Sequence, residues 1–321
     1  MNLLKPLSRS LILLLVVVVP LTGCHTNAAT GRSQFMLLSW EDEIEMGASA
    51  APEFVAQSGG ELPDQAINNY VSDLGNRLAA QSEHPELDWE FFVLDSQVIN
   101  AFALPGGKVF MSRGLMSRMT NEAQLAGVLG HEIGHVTARH GAERMSQAIG
   151  VQVLVAGAAI GGAASDSEWG AYLGLGTAVG GQLFLLKYSR ENELEADALG
   201  VRYMTNLGYN PVGQIQVMEI LRAASGGAGG PEWLSTHPAP DTRINDLNDL
   251  IVENYPNYND PSAYVFREAE FKRNILEPLS KLPPARHGSS AFLDPAEFER
   301  LTGIAWEEVG QRRCACPSGT H

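Results

Sequence analysis

The sequence predicts an α+β fold that is mainly α-helical and contains a small β-sheet. In several long segments, such as residues 64–81, apolar residues recur about every 3.6 positions, as on the buried face of a helix. Residues 89–112 differ, because short aromatic and β-branched runs flank a Pro-Gly-Gly turn, which is typical of a hairpin. An apolar content of 45% over 321 residues is enough to build a buried core.

The first 23 residues (1–23) are typical of a lipoprotein signal peptide. Lys5 and Arg9 form a charged start, and Leu11–Val19 is an unbroken apolar stretch. As a helix this stretch spans roughly 14 Å, whereas a bilayer core is about 30 Å thick, so the segment is too short to cross a membrane. The tetrapeptide that ends at Cys24 resembles a bacterial lipobox, which implies lipidation of Cys24. An ordinary signal peptide with an accidental cysteine is the alternative.

Residues 24–35 are small and polar, so we predict a tether between the lipid and the folded domain. The residue after Cys24 is His25 and not aspartate. By resemblance to lipoprotein sorting rules, this favours the periplasmic face of the outer membrane of a Gram-negative bacterium. The formal net charge of −15 repels phosphate backbones, and no Lys/Arg-rich run offsets it, so we expect no nucleic-acid partner.

The folded domain is predicted to span residues 36–252. Ser39, followed by acidic residues, is a typical capped start for its first helix. Residues 253–321 change in composition, and we predict a partly flexible C-terminal extension whose role the sequence does not indicate. Cys314 and Cys316 in this extension are too few for a disulfide framework. The other predicted elements are a helix over 64–81, strands over 89–94, 98–104 and 108–112, and helices over 120–145, 189–207 and 211–224.

Within residues 149–187, the runs 149–164 and 170–186 are almost wholly apolar and rich in glycine, with Asp166 and Glu168 between them. A membrane hairpin is one interpretation, but each apolar run is shorter than the ~20 residues that span a bilayer, and glycine weakens a helix. Close-packed helices or a mobile flap beside the active site are favoured. A surface that touches a membrane or a partner is the third interpretation.

The motif HEIGH at 131–135 lies in the middle of the predicted helix 120–145. Histidines four residues apart project from one face of a helix, so both imidazoles can bind one Zn²⁺ ion. Glu132 lies beside them and can act as the general base that takes a proton from water. Gly134 is expected to leave open space on the flank of the helix. His140 would point about 140° away from the motif on a continuous helix, so we interpret it as structural. An exposed histidine pair without function is the alternative.

A catalytic zinc ion needs a third protein ligand and an open coordination position. The acidic segment 189–197 supplies candidates on a second helix. Glu193 and Asp197 are four residues apart and share a face, so one could bind the metal while the other accepts the N–H of a ligating histidine. Glu191 and Glu195 are rivals at this point, since an acidic helix is more often a solvated face.

Three segments resemble the HtpX-like zinc metallopeptidases, a gluzincin family with an HEXXH motif. They are HEIGH at 131–135, SRENELEADALG at 189–200 and THPAPDTR at 236–243. The periplasmic lipoprotein branch of the BepA/LoiP type is the most similar in organisation, over about residues 36–250. The resemblance implies a zincin-like metalloprotease domain that binds one zinc ion through His131, His135 and Glu193.

The resemblance also implies roles for residues outside this ligand set. Asp197 would orient a ligating histidine, and Arg243 would support the oxyanion. His237 would either cap the zinc ion as a self-inhibiting fourth ligand or stabilise the tetrahedral intermediate, and a switch between the two would make it a latch. The strand Asn100-Ala101-Phe102-Ala103 would hold an extended peptide by strand addition, and a purely structural hairpin is the alternative.

The predicted function is that of a zinc-dependent endopeptidase of the bacterial envelope. Its expected substrates are polypeptides, most of all misfolded or outer-membrane proteins, and its expected membrane attachment is the lipid on Cys24. The alternative from another class is a chaperone-like lipoprotein that binds unfolded outer-membrane proteins and rarely cuts them. The sequence separates the two poorly, because an enzyme with a closed His237 latch looks inert. It does not indicate the oligomeric state.

Overall fold

The computed structural model describes residues 24–149, 187–225, 231–237 and 240–286. The predicted signal peptide, most of the apolar segment 149–187, and Cys314 and Cys316 lie outside the described residues. Within them, the predicted α+β, mainly helical architecture is confirmed. None of the helices in these four ranges combines the length and the apolar character that a membrane crossing requires.

Residues 24–35, the predicted tether, form a short hairpin that packs on the domain. Asn27 Nδ2 donates a hydrogen bond of 3.0 Å to the carbonyl of Thr137, and Gln34 Nε2 donates one of 2.7 Å to the carbonyl of Ala138. These carbonyls belong to the end of a helix, where no partner exists within the helix itself. The two strands of this antiparallel hairpin are β1 (Cys24–Thr26) and β2 (Ser33–Phe35).

Helices form most of the domain. Those that frame the site begin at side chains that accept hydrogen bonds from the first turn, namely Ser39, Asp64, Asn121 and Ser189. A π-helical turn at Lys272–Leu276 joins the last two helices. The described helices are α1 (Trp40–Gln57), α2 (Gln65–Ala79), α3 (Arg113–Met116), α4 (Glu122–Thr137), α5 (140–149), α6 (Arg190–Asn206), α7 (Val212–Ala224), α8 (Trp233–Thr236), α9 (Pro240–Asn254), α10 (Glu268–Phe271) and α11 (Glu277–Leu279).

The predicted sheet contains three strands in the order β3-β5-β4. The antiparallel pair β4 and β5 is joined by the Pro-Gly-Gly turn, in which Gly106 and Gly107 have φ angles of 76° and 92° that favour glycine. β3 pairs with β5 in parallel, so β4 lies at an edge, and no other described strand pairs with its outer side. The strands are β3 (Glu90–Leu94), β4 (Ala101–Leu104) and β5 (Lys108–Ser112).

The helix predicted over 120–145 is two helices in the structure. α4 ends at Thr137, and α5 begins after Arg139, whose φ of 56° lies in the left-handed region that few side chains adopt. Two hydrogen bonds hold Arg139 there, from Nε to Glu43 Oε1 (2.6 Å) and from Nη2 to the carbonyl of Leu38 (2.7 Å). The break changes the direction in which every later side chain of the segment points.

Residues 253–286, which the sequence places beyond the domain, contribute to its core. Phe271, Ile275 and Leu279 are buried in the same apolar cluster as the core residues of α2 and α4. The carbonyl of Phe266 accepts a hydrogen bond of 3.0 Å from the N–H of Glu122, at the start of α4. The rest of the extension, from residue 287, lies outside the described residues.

Candidate active site

Helix α4 places the histidine pair and the adjacent glutamate in the interior. His131, Glu132 and His135 are 2%, 0% and 2% exposed. The Nε2 atoms of the two histidines, one helical turn apart, lie 3.1 Å from each other. Two ring nitrogens at this distance either share a proton or converge on one cation.

Helix α6 brings Glu193 to the same point. The Glu193 side chain is fully buried, with Oε1 3.5 Å from His135 Nε2 and Oε2 3.7 Å from His131 Nε2. Of the rivals on this helix, Glu191 is exposed, and Glu195 contacts a different histidine, His140. Among the three glutamates, Glu193 alone reaches the histidine pair in the structure.

Glycines let α4 and α6 approach closely enough for these contacts. A Cβ atom at Gly200 would lie 2.8 Å from the backbone nitrogen of His131, and one at Gly134 would lie 3.0 Å from the carbonyl oxygen of Ala196. The distance at Gly200 leaves no room for a Cβ atom, and at Gly134 a Cβ atom would require its neighbour to shift. The sequence predicts open space beside Gly134, and this prediction is wrong. The backbone of α6 fills that space.

His237 follows α8 and completes the group. It is fully buried, and its Nδ1 lies 2.9 Å from Glu193 Oε1 and 3.4 Å from His131 Nε2. The Trp233 ring stacks on the His237 ring at a centroid distance of 4.4 Å, and the His237 N–H donates to the Trp233 carbonyl. These contacts fix the imidazole beside the other three side chains.

The four side chains fit a zinc ion. One donor atom from each of His131, His135, Glu193 and His237 lies within 4.8 Å of all the others. At zinc bond lengths of about 2.0–2.2 Å, the ligand atoms of a tetrahedral site are roughly 3.3–3.5 Å apart. The separations of 3.1, 3.4 and 3.5 Å among these atoms are close to that value. Imidazoles with one carboxylate are also ligand types that catalytic zinc ions use.

Asp197 and Arg243 support the ligands from behind. Asp197 Oδ1 lies 2.9 Å from His131 Nδ1, so the Nδ1–H of His131 donates to it and Nε2 is left to face the other ligands. Arg243 donates to both carboxylate oxygens of Asp197, from Nε (2.7 Å) and Nη2 (2.6 Å). Burial opposes ionisation of Asp197, but the charge and hydrogen bonds of Arg243, together with those of His131, outweigh it and hold the pKa of Asp197 well below its usual range.

The guanidinium of Arg243 is committed to two carboxylates. Besides binding Asp197, its Nη1 lies 2.5 Å from Glu193 Oε2, although the angles are not those of a hydrogen bond. The side chain is 1% exposed. This arrangement positions ligands, whereas the resemblance to the peptidase family implies support of an oxyanion.

Glu132 has one oxygen without a partner. Its Oε1 lies 3.5 Å from Trp233 Nε1 and 3.8 Å from His237 Nε2, while Oε2 has no hydrogen-bond partner among the described residues. Burial raises the pKa of Glu132 to about 8, and the charge of Glu193 adds to the effect. A carboxyl group in such surroundings takes up a proton readily near neutral pH.

Two aromatic residues of the site are absent from the sequence-based prediction. Trp233 contacts both Glu132 and His237, and its position one helical turn before His237 was the available signal. The Tyr188 ring stacks on the His135 ring at 3.8 Å. Tyr188 stands next to the predicted start of α6, but nothing in its local pattern distinguishes it from an ordinary core residue.

The predicted substrate strand lies beside the histidine pair. In Asn100-Ala101-Phe102-Ala103, Phe102 and Ala103 are half-buried, and Phe102 stacks on Phe110 at 4.6 Å. A small cavity between the end of β4 and His135 is lined in part by Ala103 and Tyr188. The end of β4 therefore borders the buried cluster.

Comparisons with known proteins identify the family that this sequence matches. A family model described as peptidase family M48 matches residues 65–251. The beta-barrel assembly-enhancing protease of Escherichia coli (strain K12) is 31% identical over 233 residues, which cover 70% of this chain and 47% of that protein. Its counterpart in Yersinia pestis is 34% identical over 234 residues, with the same shares.

A mitochondrial relative is similar over the same share of the chain. The mitochondrial metalloendopeptidase OMA1 of Schizosaccharomyces pombe is 32% identical over 229 residues, which cover 70% of this chain and 65% of that protein. The chain spans about half the length of the beta-barrel assembly-enhancing proteases that it matches.

Proposed function

We propose a function from one premise: the chain belongs to peptidase family M48. The family resemblance predicted from the sequence is thereby confirmed. The proposed function is that of a zinc-dependent endopeptidase of the bacterial cell envelope that cuts misfolded or outer-membrane proteins. The observation that carries the proposal is the convergence of His131, His135 and Glu193 within a few ångströms, with Glu132 beside them.

In the proposed mechanism, His131, His135 and Glu193 hold the metal and Glu132 moves the proton. When bound, zinc supplies Lewis acidity towards water and a peptide carbonyl. Glu132 Oε2, the oxygen without a partner, accepts a proton from the attacking water and later delivers it to the leaving amine. The unpaired edge of β4 is proposed to align the substrate as an added strand.

We propose His237 as a latch that is closed in this structure. Its Nδ1 approaches both Glu193 and His131, so it stands where a fourth ligand of the metal would stand. A catalytic zinc site needs that position for water or substrate. Cleavage would then require His237 to swing away from Glu193.

Replacement of Glu132 tests the enzymatic proposal. The variant Glu132→Gln is expected to bind zinc like the wild type and to cleave casein at least 100-fold more slowly, because it lacks the proton acceptor. Glu191→Gln, an exposed change on α6, is the matched control and should keep full activity. Normal cleavage by Glu132→Gln would overturn the assignment of the base.

The closed position of His237 also favours a second candidate, a chaperone-like lipoprotein with little proteolytic activity. The variant His237→Ala separates the two. If the protein is an enzyme with a latch, removal of the imidazole should speed the cleavage of casein or leave the fourth coordination position of the bound zinc open. A binding protein should remain inert in cleavage and still suppress aggregation of unfolded outer-membrane proteins.

The envelope location is proposed from Cys24 and its flanking residues. The variant Cys24→Ser is expected to leave the membrane fraction and to lose incorporation of labelled fatty acid. Cys314→Ser serves as the control, since it removes a cysteine far from the lipobox. Retention of labelled lipid by Cys24→Ser would exclude the anchor.

A further inference from the structure

We propose that His140, Glu195 and Arg32 are positioning residues that hold His135 in the one tautomer able to present Nε2 to the metal. This inference rests on the proposed zinc site. It assigns a task to His140, which the sequence indicates as merely structural, and to the hairpin formed by residues 24–35.

The contacts form one continuous path. His135 Nδ1 lies 2.9 Å from His140 Nδ1, and His140 Nε2 lies 2.9 Å from Glu195 Oε2. Arg32 Nε then donates to Glu195 Oε1 at 2.9 Å. His135 and His140 are both buried, so water does not compete for their ring nitrogens.

The chemistry of the groups fixes every proton along this path. An ionised Glu195 can only accept, so His140 Nε2 carries a proton and donates it to the carboxylate. A neutral His140 then has a lone pair on Nδ1, which accepts from His135 Nδ1–H. His135 is left with its lone pair on Nε2, the atom that lies 3.1 Å from His131 Nε2. That is the tautomer that a metal ligand requires.

The break between α4 and α5 creates the first contact. On a continuous helix His140 would point away from His135, but the left-handed Arg139 turns the chain and brings the two rings within 5.0 Å of each other. The hairpin creates the last contact. Arg32 is anchored there by a second carboxylate, with Nη1 and Nη2 donating to the two oxygens of Glu143 at 2.8 and 2.6 Å.

The two ligating histidines are thus held in different ways. His131 donates directly to Asp197, which Arg243 binds from α9. His135 depends on an intermediate imidazole and on an arginine from the start of the chain. The two paths end at arginines of different exposure. The side chain of Arg32, behind His135, is 23% exposed, and that of Arg243, behind His131, is 1% exposed.

Two substitutions of similar chemistry at position 140 test the tautomer argument. The Oδ1 of His140→Asn can occupy the place of Nδ1 and accept from His135, whereas His140→Gln reaches the place of Nε2 and contacts only Glu195. We expect a zinc dissociation constant within about threefold of wild type for His140→Asn and about 10–100-fold weaker for His140→Gln. Equal affinities for both variants, or no loss in either, would overturn the inference.

Variants at Arg32, the partly exposed end of the path, provide a second test. They disturb the buried interior less than substitutions of His140 do. Arg32→Gln is expected to weaken zinc binding about threefold to tenfold. Arg202→Gln, which removes a comparable partner of the Glu83 carboxylate away from the site, is expected to leave it unchanged. Thermal unfolding of the chelator-treated proteins, recorded in parallel, reports any loss of folding separately from metal affinity.

Nitrogen-15 NMR of the histidine side chains reads the tautomers directly. The zinc-loaded wild type should show a proton on Nδ1 of His135 and on Nε2 of His140. If the wild type binds no zinc and cleaves nothing, the proposed function fails. If it binds and cleaves while His140 carries its proton on Nδ1, the proposed function stands and the positioning role is refuted.

Discussion

At the scale of single residues, the site is a set of buried charged and ionisable groups, each with a specific partner. Arg243 binds Asp197, and Glu193 lies against three other potential ligands. Burial raises the pKa of Glu132. A buried charge that loses its partner is costly, so changes here should affect stability as well as metal affinity. Matched changes elsewhere in the molecule can separate the two effects.

Asp197→Asn should weaken zinc binding about 10–100-fold, because His131 loses the carboxylate that fixes its tautomer. It should also lower the free energy of unfolding by about 3 kcal/mol, since the buried Arg243 loses one of its two carboxylate partners. Asp95→Asn is the control: Asp95 is equally a buried partner of an arginine, Arg113, but lies outside the site. We expect it to lower stability without any change in zinc affinity, as measured by competition with a chromophoric chelator.

The environment of Glu232 predicts that the free energy of unfolding depends on pH. Burial raises its pKa from 4.5 to about 7, and its Oε1 has no hydrogen-bond partner among the described residues. The folded protein therefore binds this proton more tightly than the unfolded chain does. The contribution of this protonated carboxyl to the free energy of unfolding is fully present below pH 4.5. It is lost as the pH rises through about 7.

The variant Glu232→Gln removes this effect. The unfolding free energy of zinc-free protein is measured by denaturant titration for the variant and the wild type. The value for Glu232→Gln minus that for the wild type should increase by about 1–2 kcal/mol between pH 5 and pH 8. Glu253→Gln, at an exposed position on α9, should show no such trend. A constant difference across this pH range for Glu232→Gln would contradict the prediction.

The predictable part of the site depended on spacing within single helices. The separation of four residues between His131 and His135 predicted their common face, and the structure brings their nitrogens together. The choice of Glu193 over its neighbours required the family resemblance, because spacing along one helix does not reveal which face meets another helix. The contact between His135 and His140 was not predictable, since it follows from a turn at Arg139 that distant residues stabilise.

At the scale of helices and strands, the proposed metal site depends on how closely α4 and α6 cross. Glycines on both helices let the backbones approach closely, and His131 Nε2 lies 3.7 Å from Glu193 Oε2. Apolar periodicity predicted both helices, because it reports which residues are buried. It did not predict the glycine contact or the parallel pairing of β3 with β5, because these depend on which elements become neighbours.

Gly200→Ala should separate the two ligand helices. Its Cβ would meet the His131 nitrogen at 2.8 Å and the Gly130 carbonyl carbon at 3.1 Å, and these are backbone atoms that cannot rotate away. We expect a loss of about 1–3 kcal/mol in unfolding free energy, together with weaker zinc binding. Both are measurable by thermal unfolding with and without added zinc.

Gly141→Ala is the matched control on α5. The nearest atom to its added Cβ would be Pro105 Cγ at 3.5 Å, an ordinary contact. Since alanine is the better helix former, we expect a stability equal to wild type or up to about 1 kcal/mol higher, and unchanged zinc affinity. A loss of zinc in both variants would show that close helix contact at Gly200 is not the cause.

At the scale of the whole molecule, segments on both sides of the predicted domain pack against it. The hairpin of residues 24–35 covers the end of α4, and α10 and α11 complete the core. Composition alone could not show this, because polar linkers and docked segments have similar residues. The similarity to family M48 ends at residue 251, before the last core helices begin.

Truncation distinguishes the two possible ends of the domain. A chain that stops at Val252 loses Phe271, Ile275 and Leu279, each of which contributes about 1.5–3 kcal/mol when buried. We expect it to unfold without cooperativity and to bind no zinc. A chain that stops at Arg286 keeps these contacts and should unfold cooperatively and bind zinc. Equal behaviour of both truncations would contradict the extended domain.

The path from Arg32 to His135 has a consequence for biosynthesis. The side chains that would build and orient the proposed zinc site are spread over about 210 positions, from Arg32 at the hairpin to Arg243 on α9. Contacts of such long sequence separation form late in folding. Under the proposed function, a polypeptide still emerging from a translocation channel would carry no competent active site, so it would not digest itself or its neighbours before it had folded.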